Sequence, residues 1–284
     1  MIFYFSATGN TRWAAQTLAS ALNEDTVDIA DALYPKQGAT QLRFTLNQGE
    51  SVGLCFPVHG WRPAPLVRQF ISQVQLTDTD GSQARCGGKD GHYCWALCTA
   101  GDDIGETMER LQALMARRDW QTDSRFSLIM PESYVGLPFM DVDKPEKEKA
   151  KLRVADNALR KDILPALQRR QHGLTMTHRG KWPRVNSRLL GAVFERHIVG
   201  DNHFRVDAGR CIACGRCAVV CPVNDIEGGP GRQPQWLHTG RCMSCFACYH
   251  HCPKRAIDYG TRTKGKGQYY FRVKNLELRI KNDG

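Results

Sequence analysis

Ile2-Phe3-Tyr4-Phe5-Ser6-Ala7-Thr8-Gly9-Asn10-Thr11 opens the chain as an apolar run that breaks into a Ser/Thr/Gly/Asn turn. Trp13, Thr17, Leu18 and Leu22 follow at helical spacing, so the first unit is strand, turn, helix. The alternation continues outward. Residues 51–57 read as a buried strand, 65–74 as a helix and 92–99 as a third strand. Residues 103–115 place Ile104, Met108, Leu111 and Leu114 on one helical face, and 125–130 form a further strand. Residues 144–171 carry Leu152, Ala155, Leu159, Ile163 and Leu167 on one stripe, with Pro165 as a kink point. Strands alternating with helices imply a parallel sheet joined by right-handed crossovers. The expected fold is α/β: a doubly wound, five-stranded parallel sheet followed by a small α+β unit.

With 284 residues, 42% of them apolar, the chain has room for one large domain or two smaller ones. Its formal charge is +10, divided unevenly. Residues 1–140 hold 11 Lys/Arg against 15 Asp/Glu, and residues 141–284 hold 28 against 14. A basic half invites a nucleic-acid reading, but no nucleic-acid motif accompanies it. No apolar run approaches the length of a membrane span, and the opening lacks the basic region of a signal peptide. The expected setting is cytoplasmic, where thiols stay reduced. Clustered cysteines there point to metal or catalysis rather than to disulfides.

Beyond a basic connector that includes Arg179, Lys181, Arg184, Arg188 and Arg196, the sequence repeats itself. Cys211, Cys214, Cys217 and Cys221 recur 31 residues later as Cys242, Cys245, Cys248 and Cys252. Each set has the spacing C-x2-C-x2-C-x3-C-P, with Pro222 and Pro253 closing the two halves. Three thiolates at i, i+3 and i+6 on a looping backbone can hold three corners of one cubane. A pair of zinc sites is the alternative, but zinc favours two well-separated knuckles with four ligands per ion, and the tight spacing with proline present twice favours iron–sulfur. Ile212, Val219, Val220, Ile226, Phe246, Tyr249 and Ile257 are the expected apolar shield. Residues 203–260 resemble bacterial two-[4Fe-4S] ferredoxins, in which the fourth cysteine serves the other cluster. The resemblance assigns Cys211, Cys214, Cys217 and Cys252 to cluster I, and Cys242, Cys245, Cys248 and Cys221 to cluster II. It implies one-electron transfer at low potential, with oxygen sensitivity and an anaerobic setting.

The turn after the first strand offers backbone N–H groups at a helix N-terminus, with Ser6, Thr8, Asn10 and Thr11 as side-chain donors. It contains no lysine or arginine, and a capped helix is the plainer alternative. In a doubly wound sheet the ligand lies beyond the carboxyl ends of the strands, expected here at Phe5, Phe56 and Thr99. Pro57-Val58-His59-Gly60-Trp61 follows the second of these, and Ala100-Gly101-Asp102 follows the third. Trp61 can supply a flat apolar wall, while Gly60 and Gly101 permit close backbone approach. Together with Gly9 these loops resemble the flavodoxin pattern, and by that resemblance the cofactor is FMN. His59 is a candidate proton donor beside the ring. Met130-Pro131-Glu132-Ser133-Tyr134 and the cysteine block make the whole chain resemble a flavodoxin–ferredoxin fusion family.

The expected organisation is a flavodoxin-like FMN-binding domain at 1–175, a connector at 176–202, a two-cluster ferredoxin domain at 203–262 and a basic tail at 263–284. A last strand is expected at 268–273. Cys55, Cys94 and Cys98 read as buried packing, Cys86 as exposed in a long 82–91 loop, and His250 and His251 as solvated. The primary functional expectation is an electron-transfer flavo-iron–sulfur protein that links one-electron and two-electron chemistry and docks an acidic redox partner. The rival is an FMN-dependent reductase of an anionic small molecule, with His59 as proton donor and the connector as substrate clamp. Eight ligand thiolates and two cluster cores would shift the charge by about −4, and a flavin phosphate by nearly −2 more. Part of the basic surplus therefore reads as compensation for anionic centres.

Overall fold

The computed structural model describes residues 1–271. Its first part runs β1 (Ile2–Tyr4), α1 (Asn10–Leu22), β2 (Thr26–Asp28), α2 (Ile29–Leu33), β3 (Arg43–Leu46), β4 (Val52–His59), β5 (Arg62–Pro63), α3 (Pro65–Gln73), β6 (Gln75–Asp78), β7 (Cys94–Ala100), α4 (Thr107–Ala116) and β8 (Ser124–Ile129). Then come α5 (Pro145–Ala158), a π-turn at Leu159–Ile163, α6 (Leu164–Gln168) and β9 (Leu174–Met176). The main sheet has the order β2-β1-β4-β7-β8-β9, all parallel, with β5 folded back on β4. Its first five strands follow the doubly wound, flavodoxin-like order. The sheet adds β9 as a sixth parallel strand, and β3 and β6 form a separate parallel pair.

Alternation along each strand distributes the core to two faces. Phe3, Phe5 and Phe56 meet Phe70 and Ile71 of α3 and Met108 and Leu111 of α4 on one side. Ile2, Tyr4, Trp95, Leu97 and Phe126 meet Trp13 and Leu18 of α1 and Leu152, Ala155 and Ile163 on the other. Burial on both faces is why β4 and β7 read as continuous apolar runs. The expected kink takes the form of the π-turn: Pro165 has no N–H and its ring crowds the carbonyl four residues back, so the helix widens just before it.

The connector is ordered rather than irregular. Pro183–Val185, a π-turn at Asn186–Leu190 and Gly191–His197 run on as one helix, here called the connector helix. It escaped the periodicity reading because its buried positions are Ser187, Gly191 and Phe194: two are small residues that allow close approach, and apart from Phe194 its large apolar residues point outward.

The second part contains β10 (Phe204–Val206), α7 (Arg216–Val219), β11 (Ile226–Gly229), β12 (Arg232–Trp236), α8 (Ala247–His250) and β13 (Ile257–Tyr259). Antiparallel pairs form between β10 and β13 and between β11 and β12. Its aromatic centre, Phe204, Phe246 and Tyr259, belongs to the same buried cluster as Phe3 and Phe56, so the two parts share one core. Polar ties reinforce it. Lys36 Nζ donates to the Cys221 carbonyl at 2.6 Å, and Lys266 Nζ to the Val135 carbonyl at 3.0 Å. Residues 268–271 form no strand; the rest of that expected element, and of the basic tail, lies outside the described residues. No helix among the described residues is long and apolar enough to cross a membrane.

Cys86 is buried, not exposed: its loop folds back in a bridge to His92, whose imidazole contacts Asp78 and the Glu50 carbonyl at 2.7 Å each. Cys55, Cys94 and Cys98 are buried among the strands as expected.

Candidate functional site

The β4–β5 hairpin pairs His59 with Arg62, leaving a two-residue turn of Gly60 and Trp61. Both take positive φ, +54° and +57°. Such a turn matches the twist of its strands but favours Gly and Asn. A tryptophan held there is strained by roughly 1–3 kcal/mol, a cost that concentrates at functional sites. The connector helix holds the turn in place. Ser187 Oγ donates to the Trp61 carbonyl at 3.0 Å and accepts from Glu106 N at 2.7 Å. Arg62 donates to the Ser187 carbonyl and pairs with Glu195 at 2.6 Å. A Cβ on Gly60 would lie 2.7 Å from the Phe194 ring, so glycine is needed for contact as well as for φ.

The hairpin borders a cavity of about 180 Å³ at the carboxyl ends of β1, β4, β7 and β8. Ser6, Thr8, Asn10 and Thr11 line it from the first loop, Pro57, Val58, His59, Gly60 and Trp61 from the second, and Thr99, Ala100, Gly101 and Asp102 from the third. Of the expected set only Gly9 is absent from the wall, because Phe271 covers it: a Cβ on Gly9 would lie 3.0 Å from Phe271 Cβ. The cofactor set expected from the sequence left out Leu137, Met140, Phe194 and Ser244, as well as Asp103 and residues 131–134, which follow the expected loops and the last strand, while Cys245 was expected only as a cluster ligand. Residues 131–134 carried a usable signal, since they follow β8 at the same end of the sheet.

The first loop divides its donors. Asn10 Nδ2 donates to the Pro131 carbonyl at 3.2 Å, and its Oδ1 accepts from the Tyr269 hydroxyl at 2.6 Å. Thr11 Oγ1 is paired with Thr99 Oγ1 at 2.8 Å. Ser6 Oγ accepts from Gly9 N, which leaves its proton to donate outward. Asn10 and Thr11 therefore shape the loop, while Ser6 and Thr8 face the cavity with hydroxyls to give. Helix α1 has Gly9 as its N-cap at φ +97° and no side-chain cap, so its first N–H groups keep the orphan donors that suit an anion.

Charge in the cavity wall is one-signed: Asp102, Asp103 and Glu132 line it, with no lysine or arginine among the described lining residues. Glu132 accepts from the N–H groups of Ser133 and Tyr134 at 2.8 Å, and burial still raises its carboxyl above the usual range. Its carboxylate sits where a Cβ on Gly101 would collide. Asp103 is also raised by burial, with the Trp61 side chain beside it pulling the other way. Burial, with Arg68 nearby, pushes the His59 imidazole down to about 4, so His59 is neutral near pH 7. The connector's cations face elsewhere. Arg179 pairs with Glu109 at 3.0 Å and Arg188 with Glu106 at 2.8 Å.

The cysteine repeat is a repeat of backbone geometry. Helix α7 recurs as α8 at the same 31-residue displacement. Left-handed residues recur in step: Ala213 and Ser244, Gly215 and Phe246, Asn224 and Arg255. The N–H four residues after each last cysteine donates to its sulfur, Asp225 to Cys221 at 3.3 Å and Ala256 to Cys252 at 3.2 Å. Two cavities form with crossed membership. One is lined by Cys211, Cys214, Cys217 and Cys252, the other by Cys242, Cys245, Cys248 and Cys221. Among the described residues no three His, Cys, Asp or Glu side chains converge as a single-ion site. Burial pushes the Cys217 thiol up to about 11 and that of Cys245 up to about 12, so these are neutral thiols until a cation displaces their protons.

Residues 203–253 match the family model of a 4Fe-4S dicluster domain. No curated protein matches the chain. Among solved structures, a candidate flavoprotein from Bacteroides uniformis ATCC 8492 is 18% identical, covering 45% of this chain and 88% of its own, at a TM-score of 0.29. One from Bacteroides eggerthii DSM 20697 is 16% identical, covering 55% and 96%, at 0.28. Likeness at that level carries no functional weight.

Within the dicluster segment the two cavities differ in surroundings. Cys214 is exposed, and Ile212 and Val219 beside it point to solvent rather than shielding the thiols as expected. Cys248 and Cys221 are buried, and Cys245 lines both its own cavity and the larger one beside Trp61. His250 is buried, not solvated. Its Nε2 donates to the Ser133 carbonyl at 2.6 Å and its Nδ1 accepts from Tyr269 N at 3.1 Å, which fixes a neutral tautomer. His251 is half-buried and stacks on Tyr270 at 4.6 Å.

Proposed function

We propose that this chain is an electron-transfer iron–sulfur flavoprotein. FMN occupies the cavity beside Trp61, and two [4Fe-4S] clusters are held by the crossed cysteine sets. The observation that carries this reading is Cys245, which lines both the larger cavity and the inner cysteine cavity. A ligand of one centre and the wall of the other are then the same residue.

The residues present fit both groups. An uncapped helix N-terminus with the Ser6 and Thr8 hydroxyls suits a phosphate, and the strained Trp61 supplies a flat wall. Two all-thiol sets suit iron–sulfur clusters, where the N–H groups of Asp225 and Ala256 tune the sulfurs. When bound, FMN exchanges one or two electrons and each cluster exchanges one. The chain's own contribution is position and environment. Thr11–Thr99 and Asn10–Pro131 fix the first loop against its neighbours. His59, neutral, can donate an N–H to a ring edge but carries no charge to give away near pH 7. The exposed Cys214 side faces solvent and the Cys245 side faces the flavin cavity, so the outer cluster is the one open to solvent and the inner one meets FMN.

The rival, a reductase of an anionic small molecule, has no observation in its favour. The cavity wall carries three acidic residues, and the connector's arginines serve Glu106 and Glu109 instead of the cavity. The test is anaerobic purification with iron, sulfide and flavin analysis. The reading expects about eight iron per chain, from two four-iron clusters, together with FMN. A colourless, zinc-loaded protein would end it.

A further inference from the structure

The connector helix has two unlike faces. Its inner face, Ser187, Gly191 and Phe194, seats the Gly60–Trp61 turn. Its outer face carries Trp182, 69% exposed, then Val185, Leu189, 61% exposed, and Val193, 48% exposed. Their spacing of three, four and four residues puts them on one helical stripe, and Leu190 extends it on one side. Contiguous exposed apolar surface of this kind on a soluble chain marks an interaction site. Inward packing does not explain it, since the contacts that hold the turn come from the inner face and from Glu195, none of them from this stripe.

We infer that this outer face docks an acidic redox protein. The stripe is framed by Lys181, Arg184 and Arg196, which form no ion pair among the described residues, and by Arg188, which is still largely exposed above Glu106. Cations around an apolar centre complement a partner with carboxylates around an apolar recess, and Trp and Arg are the side chains that anchor such contacts. Location favours a redox protein over a lipid surface. The stripe lies one helix diameter, roughly 10 Å, from the turn that forms the flavin wall. A protein seated there is brought to the flavin end of the molecule, an advantage a bilayer would not use. The partner's redox class rests on the electron-transfer reading above; the surface itself rests on the stripe and its charges.

The test measures binding of the holoprotein to an acidic [2Fe–2S] ferredoxin of the plant type, by titration at low and moderate salt. The double variant Leu189→Ser/Val193→Ser should weaken binding at least tenfold. The charge variant Arg184→Glu/Arg196→Glu should do the same and remove most of the salt dependence. Iron content, flavin content and thermal unfolding should match the parent in both. Undiminished ferredoxin binding by both variants would overturn the inference. So would stripe-dependent binding to phosphatidylserine vesicles without ferredoxin binding, or a parent dimer that the serine variant disperses. Because the readout is binding, the two readings fail separately: a parent without flavin sinks the function proposed above, and unaltered binding sinks the docking surface.

Discussion

The hydroxyl of Tyr269 donates a 2.6 Å hydrogen bond to Oδ1 of Asn10 across 259 positions of sequence. Phe271 N, two residues on, donates to the Thr8 carbonyl at 2.7 Å, and the Phe271 ring packs on Trp13 at 5.4 Å. The segment that follows the cysteine repeat thus forms the back of the first loop. Tyr269 N also donates to His250 in α8, so one short stretch ties the dicluster segment to the proposed phosphate site.

Tyr269→Phe removes one buried hydrogen bond and leaves Asn10 Oδ1 without that donor. The expected cost is about 1–2 kcal/mol, expressed as roughly 5–30-fold weaker FMN binding in a fluorescence-quenching titration of the reconstituted protein. Unchanged affinity would mean the strap is incidental to the loop.

Trp61→Gly separates the role of the wall from the stability of the turn. Glycine takes φ +57° without strain, so thermal stability should hold or rise slightly. Flavin affinity should fall at least tenfold, because the flat apolar surface is lost. A variant that binds FMN as well as the parent would place the ring elsewhere.

The two cysteine sets should fail independently. Cys214→Ala should damage the outer cluster and leave electron exchange between the inner cluster and the flavin intact. Cys221→Ala should damage the set that contains Cys245 and abolish that exchange, although Cys221 lies in the first half of the repeat. Low-temperature EPR of the reduced variants reads which cluster survives. Loss of the outer signal in Cys221→Ala, with the inner one preserved, would contradict the crossed pairing.

His59 predicts an acid limit. Its folded-state value is about 4 against roughly 6.5 when unfolded. Between these values the unfolded chain binds more protons, so stability rises with pH through the window and is lost as pH falls from 6.5 towards 4. The stability lost once His59 is fully protonated is roughly 3 kcal/mol. Denaturant unfolding of His59→Gln across pH 4–7 should show a correspondingly shallower slope than the parent. Equal slopes would mean that His59 titrates normally.

Some of this was written plainly in the residues. The strands around Phe3, Leu54, Leu97 and Phe126 are apolar runs between helical periods, and the 31-residue cysteine repeat is also a repeat of local backbone. The loops lining the cavity follow from strand order, because a doubly wound sheet gathers its carboxyl ends. What stayed hidden depended on long-range packing. Trp61 occupies a turn position where composition favours glycine or asparagine, and only the connector helix behind it makes that tolerable. The connector helix hides its inner face in Ser187 and Gly191, which carry no apolar period. Asn10 has the chemistry of a phosphate donor, and only Tyr269 and Pro131 show that its side chain is taken. Ile212 and Val219 were misjudged because apolar residues beside ligand cysteines can face either the cluster or the solvent.

The most direct test of the central claim is electron movement inside the anaerobic holoprotein. A light pulse that reduces only the flavin, followed by absorbance, should show flavin reoxidation and cluster bleaching rising together. The rate should be independent of protein concentration, and it should fall sharply in Cys221→Ala. Flavin that stays reduced while intact clusters remain oxidised, or exchange that scales with protein concentration, would contradict a shared wall at Cys245 as the route between the two centres.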